Sequence, residues 1–396
     1  MTQQTKRPKH VAALDGIRGL AVSLVLLIHL QQTGVVPARF HIMNVMMHCG
    51  WCGVDLFFVL SGFLITLGLL DSKGASNYFS AFYMRRVLRI FPLYYAVLAS
   101  VIVCSFLFTR YPIFPAWRGW IPQHVFFVEN WWMPWNDLSN NILAHFWSLG
   151  IEEQFYLVWP ACVWLLPRKR LSVFCVAACA AVLVLRFYVI RRYHPLSLVI
   201  FMNTATRVDT LIVGALCAIV MRNATLLSRT RRWLPAITAI AACYFAVVAI
   251  GVSGTAAQIY YTQTLGFTAL ALTFGPLVMW AYLFNGTGNW YDLLFSVRPL
   301  TSLGKYSYGI YVYHYPVLVI AKMMFGTNSW FGHDTFRGLL FCFGAVAAAI
   351  CVAVASYELF EKRCLRLKRY FVPTVLSGND SASSVLIAAG NSPLGG

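Results

Sequence analysis

One run constrains this chain more than any other. Leu14 to Leu30, LDGIRGLAVSLVLLIHL, is apolar over the length of a membrane span yet carries Asp15, Arg18 and His29. About 20 mostly apolar residues cross the hydrocarbon layer as a helix, so the run is predicted to be transmembrane. Arg18 and His29 stand eleven positions apart, almost three turns, which puts them on one face roughly 16 Å apart along the axis. Ionisable side chains inside a span are costly and mark functional paths. The plainer alternative is that Arg18 snorkels to the interface while His29 is hydrogen-bonded in a packing seam.

Nine further apolar runs follow, near 52–70, 89–109, 145–166, 172–190, 204–221, 234–252, 264–284, 301–323 and 338–357. With 59% hydrophobic and 11% charged residues, the composition is that of an all-α, polytopic integral membrane protein with about ten transmembrane helices. The net charge of +18 does not point to nucleic acid, because the basic residues cluster at the ends of apolar runs. Starting inside, twenty Lys and Arg fall in the cytoplasmic segments and seven on the other side, so both termini are predicted cytoplasmic, in the cell's inner membrane. The first run is too long for a signal peptide and is expected to stay as the first span. Residues 1–372 read as one transmembrane domain and 373–396 as a disordered polar tail.

Most of the eleven cysteines lie singly in apolar runs and behave as small hydrophobic side chains. Cys49 and Cys52 have C-x-x-C spacing, which fits a redox pair, a partial metal site with His48, or an inert pair. No metal is predicted. The Trp-rich connection from Arg110 to Ala144 reads equally as an interfacial aromatic belt or as a lid.

Depth within the spans sorts the polar residues. His29, Asp55 and Glu152 fall in the outer half, as do His145, Ser148 and Tyr156, which share a helix face with Glu152 through i, i+3, i+7, i+11 spacing. Arg18, Arg86 and Arg89 gather at the inner end, and arginine's planar fork of donors suits phosphate oxygens. The alternative for Arg85, Arg86 and Arg89 is topology and contact with anionic lipid. Arg207 and Asp209 are two apart on one helix, so each needs a partner on another span. His314 lies within a span where Pro316 opens the backbone ladder, as a packing residue or a site residue.

Together these motifs resemble the acyltransferase 3 family of integral membrane O-acyltransferases. The pieces are Arg18-x10-His29, GVDLFFVLSGF at 53–63, Arg86-x-x-Arg89, WSLGIEEQFY at 147–156, TRVDTLIVGAL at 206–216, SYGIYVYH at 307–314 and SYELFE at 356–361. The family's closing Glu, basic residue and Pro is altered here, where Arg363 and Cys364 follow Glu361 and Lys362. The resemblance implies transfer of an acyl group, commonly acetyl, from cytoplasmic acyl-CoA to a hydroxyl of a carbohydrate, lipid-linked glycan or small acceptor, in a form without an added hydrolase-like domain.

On that scheme Arg18, Arg86 and Arg89 would bind the coenzyme A phosphates and His29 would act as general base. Asp55 or Glu152 would orient the imidazole. His145, Ser148, Tyr156, Arg207, Asp209 and His314 would contact the acceptor. A covalent route through Ser61 competes with a packing role for the Ser61-Gly62 pair. A transporter or flippase for a glycan or small metabolite is the rival class, since paired intramembrane charges and a Pro-interrupted span also occur in carriers.

Overall fold

A computed structural model describes residues 11–33, 41–111, 113–136, 138, 141–193, 198–251, 260–325 and 335–374, and among them every regular element is helical. Ten helices of at least 17 residues dominate. They are α1 Ala12–Gln31, α2 Cys52–Ser72, α3 Tyr78–Leu107, α4 Trp147–Leu165, α5 Arg168–Tyr193, α6 Thr204–Met221, α7 Leu234–Gly251, α8 Phe267–Leu283, α9 Arg298–Phe325 and α10 Thr335–Ser356. Seven helical stretches among the described residues are long and apolar enough to cross a membrane, or eight if the bent pair Ala224–Arg231 and Leu234–Val248 is one span. The chain is a multi-pass membrane protein. α4 and α9 fall outside that set. They carry much of the polar equipment of the site, including Glu152, Glu153 and Gln154 on α4.

α2 is the axis of the bundle. Leu56, Val59 and Phe63 are fully buried in a cluster with Ala13, Ile17 and Ala21 of α1, and α6 and α8 close its other sides. The α2–α6 seam depends on two glycines. A Cβ on Gly62 would stand 1.9 Å from the Leu211 carbonyl oxygen, and one on Gly214 would stand 2.1 Å from that of Val59. Such close backbone approach is how membrane helices gain packing energy without a hydrophobic drive. The proximity expected of Ser61-Gly62 is thus made by Gly62, which leaves the Ser61 hydroxyl for other contacts.

Helix ends are closed by side chains. Asn203 accepts from the Ala205 amide at 2.9 Å to start α6. At the end of α4, Lys73 Nζ donates to the carbonyls of Val163 at 2.6 Å and Leu166 at 2.8 Å. α3 begins at Tyr78, earlier than the span expected from residue 89. Hydropathy excluded its basic first turns, yet Arg85, Arg86 and Arg89 lie within the helix.

The connection between α3 and α4 divides in two. Trp117, Trp120, His124, Glu129 and Asn130 are buried, and the hydroxyl of Tyr94 donates to the His124 carbonyl at 2.7 Å. Trp131, Trp132 and Trp135 remain 46%, 51% and 61% exposed. One half therefore packs as core and the other presents indole rings. Cys49 and Cys52 are free thiols. Of the expected tail, Thr374 is held on Asn77 through its amide at 2.8 Å, and residues 375–396 lie outside the described residues.

Candidate active site

A cavity of about 110 Å³ opens between α1, α2, α3, α4 and α9. Its lining includes Arg18, Arg86 and Arg89, and also Ser61, Ser148, Glu152, Tyr156, Ser307, Tyr308 and Tyr311. The helix start at Tyr78 explains the convergence. Arg86 and Arg89 are one turn apart on α3, and both look into the space that Arg18 enters from α1. Arg18 is ion-paired with Asp15 one turn before it. Arg86 lies over the Tyr156 ring, 5.5 Å from its centroid, and among the described residues neither Arg86 nor Arg89 closes an ion pair with a carboxylate. Two arginines that face a cavity without an ion-paired carboxylate present donors suited to an anion with several oxygens.

Along the wall, Tyr156 donates to Glu152 Oε2 at 2.9 Å, and its hydroxyl also meets Ser61 Oγ. At the far end Ser148 and Tyr311 join hydroxyl to hydroxyl, and Tyr311 donates to the His145 carbonyl at 2.8 Å. The helix face read from α4 spacing thus lines the cavity with Ser148, Glu152 and Tyr156. His145 stands one turn beyond, in the 3-10 turn Ala144–Phe146.

Past Tyr311 lie three histidines. The His314 ring centroid is 4.8 Å from that of His29 and 4.9 Å from that of His145. His314 Nδ1 stands 2.6 Å from the Tyr311 carbonyl oxygen, and His29 Nδ1 stands 2.8 Å from that of Val25. Carbonyls only accept, so both Nδ1 atoms carry hydrogen. His314 Nε2 then presents a lone pair to His29 Nδ1 at 3.3 Å, and His29 Nε2 keeps its lone pair for another partner. His145 Nε2 is bonded to the Val312 carbonyl at 3.2 Å, while its Nδ1 is buried without a partner. His29 faces a second, smaller opening lined by Leu26, Leu30, His314 and Leu318. The cavity that holds Arg18 ends at Tyr311 before reaching it.

The carboxylates are placed differently from the sequence expectation. Asp55 accepts from Arg207 at 2.9 Å, and Arg186 pairs with Asp209, all four fully buried. Neither Asp55 nor Glu152 is bonded to the His29 ring; the Val25 carbonyl fixes its tautomer instead. Arg207 and Asp209 find their partners on α2 and α5 and do not line the cavity. Residue counting along a span did not give the direction around the helix axis. The arrangement of two cations and two anions leaves the cluster neutral. Arg207 Nε and Nη1 have no hydrogen-bond partner, and the Phe267 ring, 3.6 Å from Arg207 Cζ, compensates by a cation–π contact worth about 2 kcal/mol or more when desolvated.

Sequence reasoning did not select Ser307, Tyr308 or Tyr311. Their signal was present, because Ser307, Tyr311 and His314 follow i, i+4, i+7 spacing on α9.

A bundle of apolar helices around a cavity lined by Arg18, Arg86, Arg89 and Glu152, with three histidines beyond its Tyr311 end, defines a multi-pass membrane protein with a polar site inside the bundle. The acyltransferase 3 family model, described as an acyltransferase domain, matches residues 11–358. The chain belongs to this family. YrhL of Bacillus subtilis is 30% identical over 384 residues, covering 91% of this chain and 56% of its own length. The peptidoglycan O-acetyltransferase OatA of Listeria monocytogenes is 28% identical over 378 residues, covering 89% and 55%. The O-acetyltransferase OatA of Staphylococcus aureus is 27% identical over 330 residues, covering 80% and 52%. The chain thus spans about half the length of the curated relatives it matches, and no solved structure matches it.

Proposed function

We propose that this chain is a membrane O-acyltransferase of about ten spans with both termini in the cytoplasm of the cell's inner membrane. It moves an acyl group, acetyl first, from acyl-CoA to a hydroxyl of a carbohydrate or lipid-linked glycan. What supports the reading is a cavity with Arg86 and Arg89 at one end and the Ser148–Tyr311 hydroxyl pair at the other, beyond which His314 and His29 lie against a second, smaller opening. The names of the relatives favour acetyl as the group and a cell-wall glycan as the acceptor class.

Arg18, Arg86 and Arg89 hold the donor phosphates at the cytoplasmic mouth, and the thioester arm lies along Tyr156, Ser61 and Glu152. The acceptor hydroxyl gives its proton to His29 Nε2 as its oxygen attacks the thioester carbonyl; the C–S bond breaks, and the imidazolium returns the proton to the leaving thiolate. His314 Nε2 and the Val25 carbonyl steady the charge at Nδ1, the role first assigned to Asp55 or Glu152. A placed imidazole base contributes about 10²–10⁴-fold. Ser148, Tyr311 and His145 border the acceptor, while Asp55, Arg207 and Asp209 act on it through helix position.

Mass analysis of envelope glycans tests the reading in cells with the wild-type gene, without it, and with His29→Ala. Loss of an acyl mass shift in the last two supports it. An unchanged glycan profile without the gene overturns the proposed acceptor class, and retained acylation in the variant removes His29 from the chemistry.

A further inference from the structure

The cations at the arginine end do not stop at those lining the cavity. Lys368, in the turn Leu367–Tyr370 beyond α10, is half-buried, and its electrostatic neighbours are Arg89, Arg86 and Arg85. Arg85 donates to the Phe371 carbonyl at 2.7 Å. The residues that follow are strapped across the start of α3. Asn77 Nδ2 donates to the Val372 carbonyl at 2.9 Å, the Thr374 amide donates to Asn77 Oδ1 at 2.8 Å, and the Ser76 amide donates to the Thr374 carbonyl at 3.1 Å. One asparagine thus binds the strap through both ends of its amide and fixes the chain just past Lys368.

The electrostatics of this arrangement are unbalanced. Glu152, Glu153 and Glu361 lie within electrostatic reach of the arginines. Among the described residues, however, none closes an ion pair with Arg86, Arg89 or Lys368. Like charges gathered without a paired carboxylate repel one another. Four cations held together by a strap and a helix therefore favour an anion between them. Arg86 and Arg89 are sufficient for one phosphate, each with a fork of donors; Arg85 is already turned toward Phe371 and Lys368 adds a separate point charge.

We infer that Lys368 is a further member of a polyphosphate site at this mouth, positioned by the Phe371–Thr374 strap, and that the site takes a ligand with more than one phosphate group. The inference rests on the acyl-CoA reading above and adds Lys368 to the residues that hold the donor phosphates. Lys368 contacts an outlying phosphate, and Asn77 is a positioning residue for it.

The test is a titration of the purified full-length protein with coenzyme A, dephospho-coenzyme A and inorganic triphosphate, followed by steady-state kinetics with acetyl-CoA. Lys368→Gln is expected to weaken coenzyme A binding about tenfold, the size of one charge-assisted hydrogen bond, and Lys368→Arg to restore most of it. Asn77→Ala should raise the KM for acetyl-CoA about threefold with kcat unchanged. If Lys368→Gln binds all three anions as the wild type does, the inference falls while the donor reading stands. If triphosphate binding depends on Lys368 but coenzyme A does not bind, the site stands and the donor reading falls. A response to phosphatidylglycerol in the micelle and to none of the three soluble anions assigns the cluster to lipid and overturns the inference. Should Lys368→Gln fail to fold, the arginine and Asn77 variants decide through the same KM and affinity readouts.

Discussion

His145 Nε2 stands 3.2 Å from the carbonyl oxygen of Val312, the acceptor that Pro316 leaves without its helical donor. Proline has no amide hydrogen to give to the residue four positions earlier, and a buried carbonyl left without a partner costs about 1–3 kcal/mol. A histidine from the turn that precedes α4 supplies the missing donor. The same bond sets the His145 tautomer and leaves Nδ1 as an acceptor beside the other two histidines.

His145→Ala strands the Val312 carbonyl and should lower stability by about 1–3 kcal/mol. Adding Pro316→Ala restores an amide donor to that oxygen and should recover part of the loss. Thermal unfolding of the single and double variants in detergent checks this; a double variant less stable than His145→Ala would contradict the pairing.

Asp55→Asn leaves Arg207 buried with a weaker partner. Removing one member of a buried pair costs about 3–5 kcal/mol, so Asp55→Leu should reduce folded yield strongly. Asp55→Leu combined with Arg207→Leu should be milder than either single change. If Asp55→Asn instead folds normally and loses only turnover, Asp55 belongs to the chemistry rather than to the seam.

Gly214→Ala places a methyl group 2.1 Å from the Val59 carbonyl oxygen. Helices α2 and α6 must then separate, at about 1–3 kcal/mol for overpacking, with the Asp55–Arg207 contact stretched as they part. Size-exclusion profiles of the variant after heating should show a lower midpoint of aggregation; an unshifted midpoint would mean that the seam is looser than its geometry.

His124, buried in the α3–α4 connection, is held down to about 4 by burial, against the raising effect of its hydrogen bonds with the Trp120 and Leu143 carbonyls. Unfolded, its value is about 6.5. Above that pH its contribution is fully present. As pH falls through the window toward 4, the unfolded state takes up a proton that the folded state refuses, and stability drops by on the order of 3 kcal/mol. Melting points at pH 7.5 and 5 should differ by less in His124→Gln than in the wild type.

Much of the architecture was legible because a bilayer accepts few solutions. The ten long helices fall near the ten apolar runs, and Arg18, Arg86 and Arg89 line one cavity. What could not be read was rotation about each helix axis. Asp55 turns to α6, whereas His29 turns to α9. The proline–histidine pairing was half legible: Pro316 announced a free carbonyl, but its donor lies 167 residues away in sequence. The Lys368 strap lay where composition had turned small and polar, and contacts from Ser76, Asn77 and Arg85 reveal it.

The account turns on the arginine end of the cavity. Isothermal titration of purified protein with acetyl-CoA tests it most directly, comparing wild type, His29→Ala and the double variant Arg86→Ala with Arg89→Ala. The predicted result is binding by wild type and His29→Ala alike, and a loss of about 100-fold or more in the double variant, two charge-assisted contacts at about 1.5 kcal/mol or more each. Equal binding by the wild type and the double arginine variant would contradict it.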